Sequence, residues 1–336
     1  MRAISLFSGG LDSMLAVKPM TEQAIDVTAL YVKTGFGSTH DIADTLAKRA
    51  KMAGADFEMV DVREAYIQDI LFDPVYGYGK NFNPCIDCHG YMFKIARAMM
   101  EQWDASFLVT GEVVGQRPMS QRSDALKQVS KLAGDNRDRL ILRPLCAKLL
   151  EPTRPETEGW VDRDRLLDIS GRARTRQLSM AAAYGWDDYE RPGGGCLLTD
   201  PAFSAKLREF VAHDTLEVSD IDLLKFGRHF RLPDGAKLIV GRHQEDNAAL
   251  KRIEHAGYHP VHLPVSGPFS LLQSTATPEE TTLALRIALT YGQSDASHTY
   301  DVVYGDTAHR VQPFATKTEA QRFFYNAPTT QNKEHA

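Results

Sequence analysis

The 336-residue sequence predicts an α/β fold, a Rossmann-like parallel sheet followed by a smaller α+β domain. Three observations carry this expectation. Short apolar runs that read as strands alternate with helical patterns over the first 110 or so residues, which is how a parallel sheet is written. The first run stops at a glycine turn, Ser8-Gly9-Gly10, and a helical pattern follows at once. The chain then changes character after about residue 203, and nine of its eleven histidines lie beyond residue 200.

The elements follow in order. Residues 2–7 form the first strand, a helix starts at Asp12, and Pro19 should kink or end that helix. Residues 26–33 and 57–62 read as strands with a helix over 39–53 between them. Residues 73–84 are loop-like, and Cys85 and Cys88 open a helix that runs to about residue 102. Strands are expected at 106–110 and within 139–145, and a helix over 163–185. Pro192-Gly193-Gly194-Gly195-Cys196 reads as a rigid loop. In the second part, residues 236–240, 259–265, 299–304 and 309–314 are strand-like, and 246–256 and 278–291 helical. The domains are therefore expected at 1–205 and 206–328, with the boundary near 203–216 and a tail at 329–336.

Composition narrows the function classes. Hydrophobic residues are 43% and charged residues 25%, so sizeable cores form without disulfides. With 39 Lys and Arg against 44 Asp and Glu, the net charge of −5 excludes a protein that coats nucleic acid through overall basicity. A local basic region is compatible with it: Arg117 to Arg176 holds 14 Lys and Arg against 9 Asp and Glu. No run approaches the roughly 18–20 apolar residues of a membrane span. The N-terminus does not read as a signal peptide, so the cytoplasm is the expected compartment. Four cysteines in a reducing compartment suggest metal binding or catalysis before disulfides.

The sharpest motif is Ser8-Gly9-Gly10-Leu11-Asp12-Ser13, set between a strand and a helix. Glycines allow a tight turn and close approach to a ligand. The turn amides and the helix N-terminus then converge on one point, which suits a di- or triphosphate. No Gly-Lys-Ser/Thr follows, so this is not the Walker pattern. The bland alternative is a glycine turn with Asp12 and Ser13 as helix caps.

Asn83-Pro84-Cys85-Ile86-Asp87-Cys88-His89 places two cysteines at a loop-to-helix junction, where a thiol pKa is expected to fall. On these residues alone, zinc, an iron–sulfur cluster, a redox pair and two buried thiols all stay open. His89 is a further ligand candidate, although a helix-surface histidine is the plainer reading, and Cys146 reads as a buried small hydrophobe. Arg172, Arg174 and Arg176 alternate in a segment expected to be helical and, with Arg117, are candidates for RNA phosphates, against the bland reading of a solvated face. Thr110-Gly111-Glu112 and residues 115–121 follow a strand end, where ligands bind in open α/β sheets.

SGGLDS resembles the signature of the PP-loop ATP pyrophosphatases, whose fold is of the adenine nucleotide alpha hydrolase type. The resemblance implies cleavage of ATP between its α- and β-phosphates and adenylation of a substrate oxygen. It assigns Ser8, Gly9, Gly10, Leu11, Asp12 and Ser13 to ATP, with Gly111 nearby and Tyr31 to Lys33 bordering the adenine. Mg²⁺ is expected to neutralise the phosphates, with Asp12 placed to help hold it. Asn83-Pro84…Cys88 and Cys196 resemble the cysteine arrangement of the tRNA thiouridine synthases in this group. The extra Cys85 resembles the branch in which three cysteines hold a [4Fe–4S] cluster with one iron open to sulfide. A persulfide route through Cys88 and Cys196 is the alternative. The usual Gly-His-Tyr of these synthases is absent after the fourth strand, so their contacts there do not carry over.

Val240-Gly241-Arg242-His243-Gln244-Glu245-Asp246-Asn247 resembles, over a short stretch, the RNA-binding module of the NFACT proteins. A dimerisation or purely structural role for this part, and a homodimer, stay open. The expected activity is thus an ATP-dependent tRNA sulfurtransferase making thiouridine, with 4-thiouridine favoured over 2-thiouridine. Its partners would be tRNA and a sulfur donor, either sulfide or a cysteine desulfurase-type carrier. A PP-loop enzyme acting on a small molecule and a non-catalytic RNA-binding protein are the rivals.

Overall fold

The computed structural model describes residues 1–37, 42–190 and 195–325. The chain divides into two compact units, Met1–Pro201 and Ala202–Ala336.

The first unit is built on five parallel strands in the order β3-β2-β1-β4-β5. They are β1 (Arg2–Leu6), β2 (Asp26–Lys33), β3 (Asp56–Asp61), β4 (Phe107–Thr110) and β5 (Ile141–Leu142). The central strands are apolar because both faces of a parallel sheet are covered. Ala3, Ile4, Phe107 and Val109 are fully buried. The outer strand β3 is largely exposed and mixed in composition. The strand order reverses at β1, so the carboxyl ends of β1 and β4 diverge and open a crevice, the place where such sheets bind ligands.

The helices of this unit are α1 (Leu11–Thr21), α2 (Ala43–Ala53), α3 (Arg63–Tyr66), α4 (Cys85–Ala98), α5 (Ser123–Leu132), α6 (Arg154–Thr157) and α7 (Thr175–Ala183). Pro19 sits inside α1, and the helix stops two residues later, because proline removes an N–H from the ladder. The turn after α3 is a π-helix over Ile67–Leu71. The helix expected over 163–185 is a correction: only a 3₁₀ turn at Arg163–Arg165 and α7 form. Gly171 at φ +76° breaks the run between them.

The second unit is a six-stranded antiparallel sheet with helices against it. Its helices are α8 (Pro201–Val211), α9 (Val218–Lys225), α10 (Gln244–Arg252), α11 (Pro278–Thr290) and α12 (Lys317–Gln321). Its strands are β6 (Arg228–Arg231), β7 (Lys237–Val240), β8 (Tyr258–His262), β9 (Ser270–Gln273), β10 (Tyr300–Tyr304) and β11 (Thr307–Val311). The helix α11 starts where a capping box joins Thr277 and Glu280, with Pro278 in the first turn. It buries Ala284, Leu285, Ala288 and Leu289 against Phe230, Leu238 and Leu272 of the sheet. The expected tail at 329–336 and Pro192, Gly193 and Gly194 lie outside the described residues.

Both units match the expected class, a parallel Rossmann-like sheet followed by an α+β unit. No helix among the described residues is long and apolar enough to cross a membrane.

Candidate active site

The crevice between β1 and β4 deepens into one cavity of about 380 Å³ in the first unit. Its lining includes Ser8, Gly10, Leu11, Asp12 and Ser13 together with Cys85, Cys88 and Cys196. Residues separated by more than a hundred positions in sequence thus share a single space.

The phosphate-loop turn is set by sterics. Gly9 takes φ +71°, and a Cβ there would collide with Leu46. Gly111, at the end of β4, has no room either: its Cβ would lie 2.5 Å from the Asp12 carbonyl carbon and 2.7 Å from the Ser13 nitrogen. The loop is held from outside by Arg49, whose Nη1 donates to the Gly9 carbonyl at 3.3 Å while its other N–H groups grip Asp188. The Glu190 amide donates to the same Gly9 carbonyl at 3.2 Å. Gly9 shapes the turn and is not itself among the lining residues.

The capping alternative does not describe this loop. Gly10 is the N-cap of α1 and no side chain caps it. The Ser13 hydroxyl donates back to the Gly10 carbonyl at 2.7 Å. The Asp12 carboxylate turns into the site, where Oδ2 accepts from Gln116 Nε2 and from Arg174 Nη2, each at 2.6 Å. The fully buried Gln177 holds Gln116 in turn, at 3.1 Å. Oδ1 of Asp12 is buried without a hydrogen-bond partner among the described residues.

Arg174 is therefore a correction to the expected RNA face. It is the N-cap residue of α7, its side chain is 14% exposed, and it lines the cavity. Arg172, Arg176 and Arg117 do face outward, with Arg176 paired to Asp168 and Arg117 at the cavity lining. Arg172 and Arg174 precede the helix, so the three do not share a helical arc. Tyr31 lines the cavity, as do Val32 and Thr34. Lys33 does not: its amine pairs with Asp61 at 3.8 Å on the exposed side of β2 and β3.

The cysteines come together from two segments. Cys85 and Cys88 open α4, which Pro84 precedes. Asp87 ties the preceding loop to this helix by accepting from the amides of Val75 and Tyr76 at 2.7 and 3.0 Å. Cys196 returns to the site because the Leu197 amide pairs with the Phe36 carbonyl at 2.8 Å, just beyond β2. Asn83 Nδ2 lies 3.1 Å from the Cys85 sulfur, and Tyr66 hydrogen-bonds Cys88.

The thiols are not activated by the helix terminus, which corrects the expected fall in pKa. Burial pushes Cys88 up to about 12, and the nearby Cys196 and Cys85 sulfurs add to the rise. Burial likewise pushes Cys196 up to about 11. It raises Cys85 as well, against the Asn83 bond and the Arg117 charge. Desolvation is the leading cause at all three thiols. Among the described residues, no three His, Cys, Asp or Glu side chains close into a metal-holding set. Cys146 is fully buried and bonds the Glu112 carbonyl, clear of the cavity lining.

One buried network was not anticipated. His89 is not a free surface histidine: its Nδ1 pairs with Glu112 Oε1 at 2.7 Å, and Arg143 Nε donates to Glu112 Oε2 at 3.0 Å. Burial opposes the Glu112 charge, but Arg143 and His89 outweigh it and hold its pKa below the usual range. Both His89 and Glu112 line the cavity. The signal in the sequence was the position of Glu112 one residue past a buried strand and a glycine.

Comparison with known proteins gives two family matches. Residues 1–149 match the family model described as thiamine biosynthesis protein (ThiI). Residues 227–324 match that described as the NFACT protein RNA binding domain. Among curated relatives, the tRNA-specific 2-thiouridylase of Oleidesulfovibrio alaskensis is 31% identical over 121 residues, 33% of each chain. That of Petrotoga mobilis is 30% identical over 114 residues, 29% of this chain and 31% of the relative. The chain thus spans about a third of the length of these relatives. Among solved structures, a 4-thiouridine synthetase–RNA complex with bound ATP aligns at a TM-score of 0.40 and 18% identity, over 67% of this chain and 52% of that one. Residues 1–149 are thus similar to the ThiI family, in line with the resemblance that the SGGLDS motif carries, and residues 227–324 are similar to the NFACT RNA-binding domain.

Proposed function

We propose that this protein is an ATP-dependent tRNA sulfurtransferase that replaces a uridine carbonyl oxygen with sulfur. The observation that carries the reading is the single cavity shared by the phosphate loop and the three cysteines Cys85, Cys88 and Cys196. Activation by ATP creates a leaving group but supplies no sulfur, so the two functions must lie within reach of one carbon.

In this reading the α1 terminus and the Ser8 and Ser13 hydroxyls bind the β- and γ-phosphates. The uridine oxygen attacks the α-phosphorus and pyrophosphate leaves. A hydrosulfide equivalent then adds to the activated carbon and AMP leaves. The balance is uridine, ATP and hydrosulfide to thiouridine, AMP and pyrophosphate. The unpartnered Asp12 Oδ1 fits a Mg²⁺ ligand.

The cysteine trio is the sulfur-handling end. Its donors are chemically of the kind a [4Fe–4S] cluster takes, and a cluster held there would supply sulfide, but among the described residues no three of them close into a metal-holding set in this structure. A persulfide carried by Cys88 or Cys196 is the other form the same residues allow. Arg117, Arg172 and Arg176 would contact RNA phosphates, and the NFACT-type unit would add to tRNA binding.

The test is mass spectrometry of tRNA nucleosides from cells with and without the gene, complemented with wild type or Cys88→Ser. A thiouridine should vanish on deletion, return with wild type and not with Cys88→Ser. Its retention time reads whether the C4 or C2 carbonyl is modified. An unchanged thionucleoside profile would remove tRNA as the substrate and favour a small-molecule sulfur acceptor.

A further inference from the structure

Resting on the tRNA substrate proposed above, the charges of the second unit point to the face that would meet the RNA. We propose that four cations seated on aromatic rings, Arg228, Arg286, Lys317 and Arg322, form a phosphate-binding face that holds an RNA backbone without reading its sequence.

The unit as a whole does not attract RNA. Residues 202–336 carry 14 Lys and Arg against 16 Asp and Glu, a net charge of −2. Cations elsewhere in it are matched with acids: Lys225 with Asp222, Arg231 and Lys237 with Glu209, and Arg242 with Asp246. The segment 240–247 is spent on the fold. Arg242 Nε donates to Asp246 Oδ2 at 2.6 Å, and the His243 ring accepts from the Asp246 amide at 3.3 Å to start α10. Among the described residues, no carboxylate pairs with any of the four proposed cations.

Rings take the place of acids there. Arg286 lies 4.2 Å from the centroid of Phe314, and Arg322 lies over Phe323 and Phe314 at 5.1 and 5.7 Å. Arg228 and Lys317 lie over Tyr291 at 5.0 and 5.7 Å. The two seats adjoin, because the Phe314 amide donates at 2.9 Å to the hydroxyl of Thr290, the residue before Tyr291 at the end of α11. Both rest on the core: Tyr291 packs on the fully buried Phe230 with centroids 5.8 Å apart, and Phe314 is itself buried. Side chains from β6, α11 and α12 thus share one patch. The acid of α12, Glu319, accepts from the Thr316 hydroxyl at 3.4 Å.

This chemistry selects a chain of phosphates. A ring attracts a cation through its quadrupole and so orders the side chain while leaving its charge in place. A carboxylate partner would cancel that charge. Guanidinium is weakly hydrated, and its planar fork matches phosphate oxygens. The rings already carry cations, so contact runs through phosphates rather than base stacking, which positions an RNA without specifying its sequence.

The test is the salt dependence of RNA binding by the full chain, with no ATP or sulfur present. Lys317→Gln combined with Arg322→Gln changes two exposed side chains, on α12 and at its C-cap. The log–log slope of tRNA affinity against KCl should fall by roughly 1.4–1.8, since each phosphate contact contributes about 0.7–0.9, and affinity at low salt should fall about tenfold. An RNA hairpin of unrelated sequence should lose as much, with the melting temperature unchanged. Arg252→Gln, an exposed cation of α10, should leave the slope as it is. If the double variant does not fold, Lys317→Glu alone should lower the slope by about 0.7 or more. An unchanged slope in the folded variant overturns the proposal. So does an equal fall in Arg252→Gln, which marks general charge rather than this face, or a loss confined to tRNA, which marks base reading. A variant that keeps its tRNA affinity but no longer binds phosphatidylserine vesicles assigns the face to an anionic membrane and overturns the proposal too. Wild type that binds no tRNA at any salt would instead overturn the tRNA substrate itself.

Discussion

Asp12 in the first unit and Glu209 in the second are both carboxylates drawn out of water by arginine, and they differ in how completely they are satisfied. Glu209 is used on both oxygens: Arg231 Nε donates to Oε1 at 2.5 Å, and Lys237 Nζ to Oε2. Around it, Arg231 also holds Asp214 at 2.9 Å and the Gly235 carbonyl, and Gln273 completes Asp214 at 3.0 Å. Arg231 Nη2 has no hydrogen-bond partner among the described residues. Among the described residues, Asp12 has both of its bonds on one oxygen and none on the other, and it faces a cavity. A saturated carboxylate within a packed unit acts as structure. A half-saturated one at the mouth of a phosphate loop is set to receive a ligand.

The largest expected effect that would sharpen this contrast is on chemistry. Asp12→Asn keeps the side-chain shape and one acceptor, and it should cut thiolation about a hundredfold or more with little change in melting temperature. Assays of thionucleoside formation alongside calorimetric melting check this. Full activity in the variant would break the contrast. Glu209→Ala should do the reverse. It strands Lys237, whose side chain is 1% exposed, and takes one carboxylate from Arg231, so the second unit should lose about 3–5 kcal/mol of stability. Hydrogen exchange resolved by unit should show that loss, while pyrophosphate binding by the first unit persists.

A third expectation concerns acid. Burial opposes ionisation of Glu209, but Arg231 and Lys237 outweigh it and hold its pKa below the ordinary 4.5. A carboxylate depressed in the folded state stabilises fully above its unfolded pKa, and that contribution is lost as pH falls through the folded value. Stability of the second unit should therefore decline as pH drops below 4.5, and Glu209→Gln should flatten that decline. The smallest effect belongs to the surface. Replacing Arg172 and Arg176 with Ala should reduce the salt dependence of tRNA binding by a log–log slope of roughly 1–2, since each phosphate contact contributes about 0.7–0.9. Arg174→Ala should add nothing to that slope.

The class of fold was legible in the sequence because the apolar runs of β1, β2 and β4 are buried on both faces and meet glycines at their ends. The SGGLDS loop was legible because its backbone needs a conformation that glycine supplies at Gly9. The cysteine pairing of Cys85 and Cys88 with Cys196 came from resemblance, and local pattern alone could not have supplied it. What escaped was set by tertiary packing. β6, Arg-His-Phe-Arg, does not read as a strand, yet His229 and Phe230 are fully buried in it. Arg174 looked like its neighbours Arg172 and Arg176, and only the break at Gly171 and the placement of α7 turn it inward. The thiol acidity expected at the start of α4 was reversed by burial, which spacing does not encode.

The most direct measurement follows the fate of α-labelled ATP with purified full-length protein, tRNA, Mg²⁺ and sulfide under anaerobic conditions. With tRNA and sulfide both present, AMP, pyrophosphate and thiolated tRNA should appear in equal amounts; with tRNA but no sulfide, the label should stay on adenylated tRNA and neither AMP nor thiolated tRNA should form. Thiolated tRNA formed without AMP, or AMP released with no sulfur entering tRNA, would contradict the coupling of phosphate loop and cysteines in one cavity.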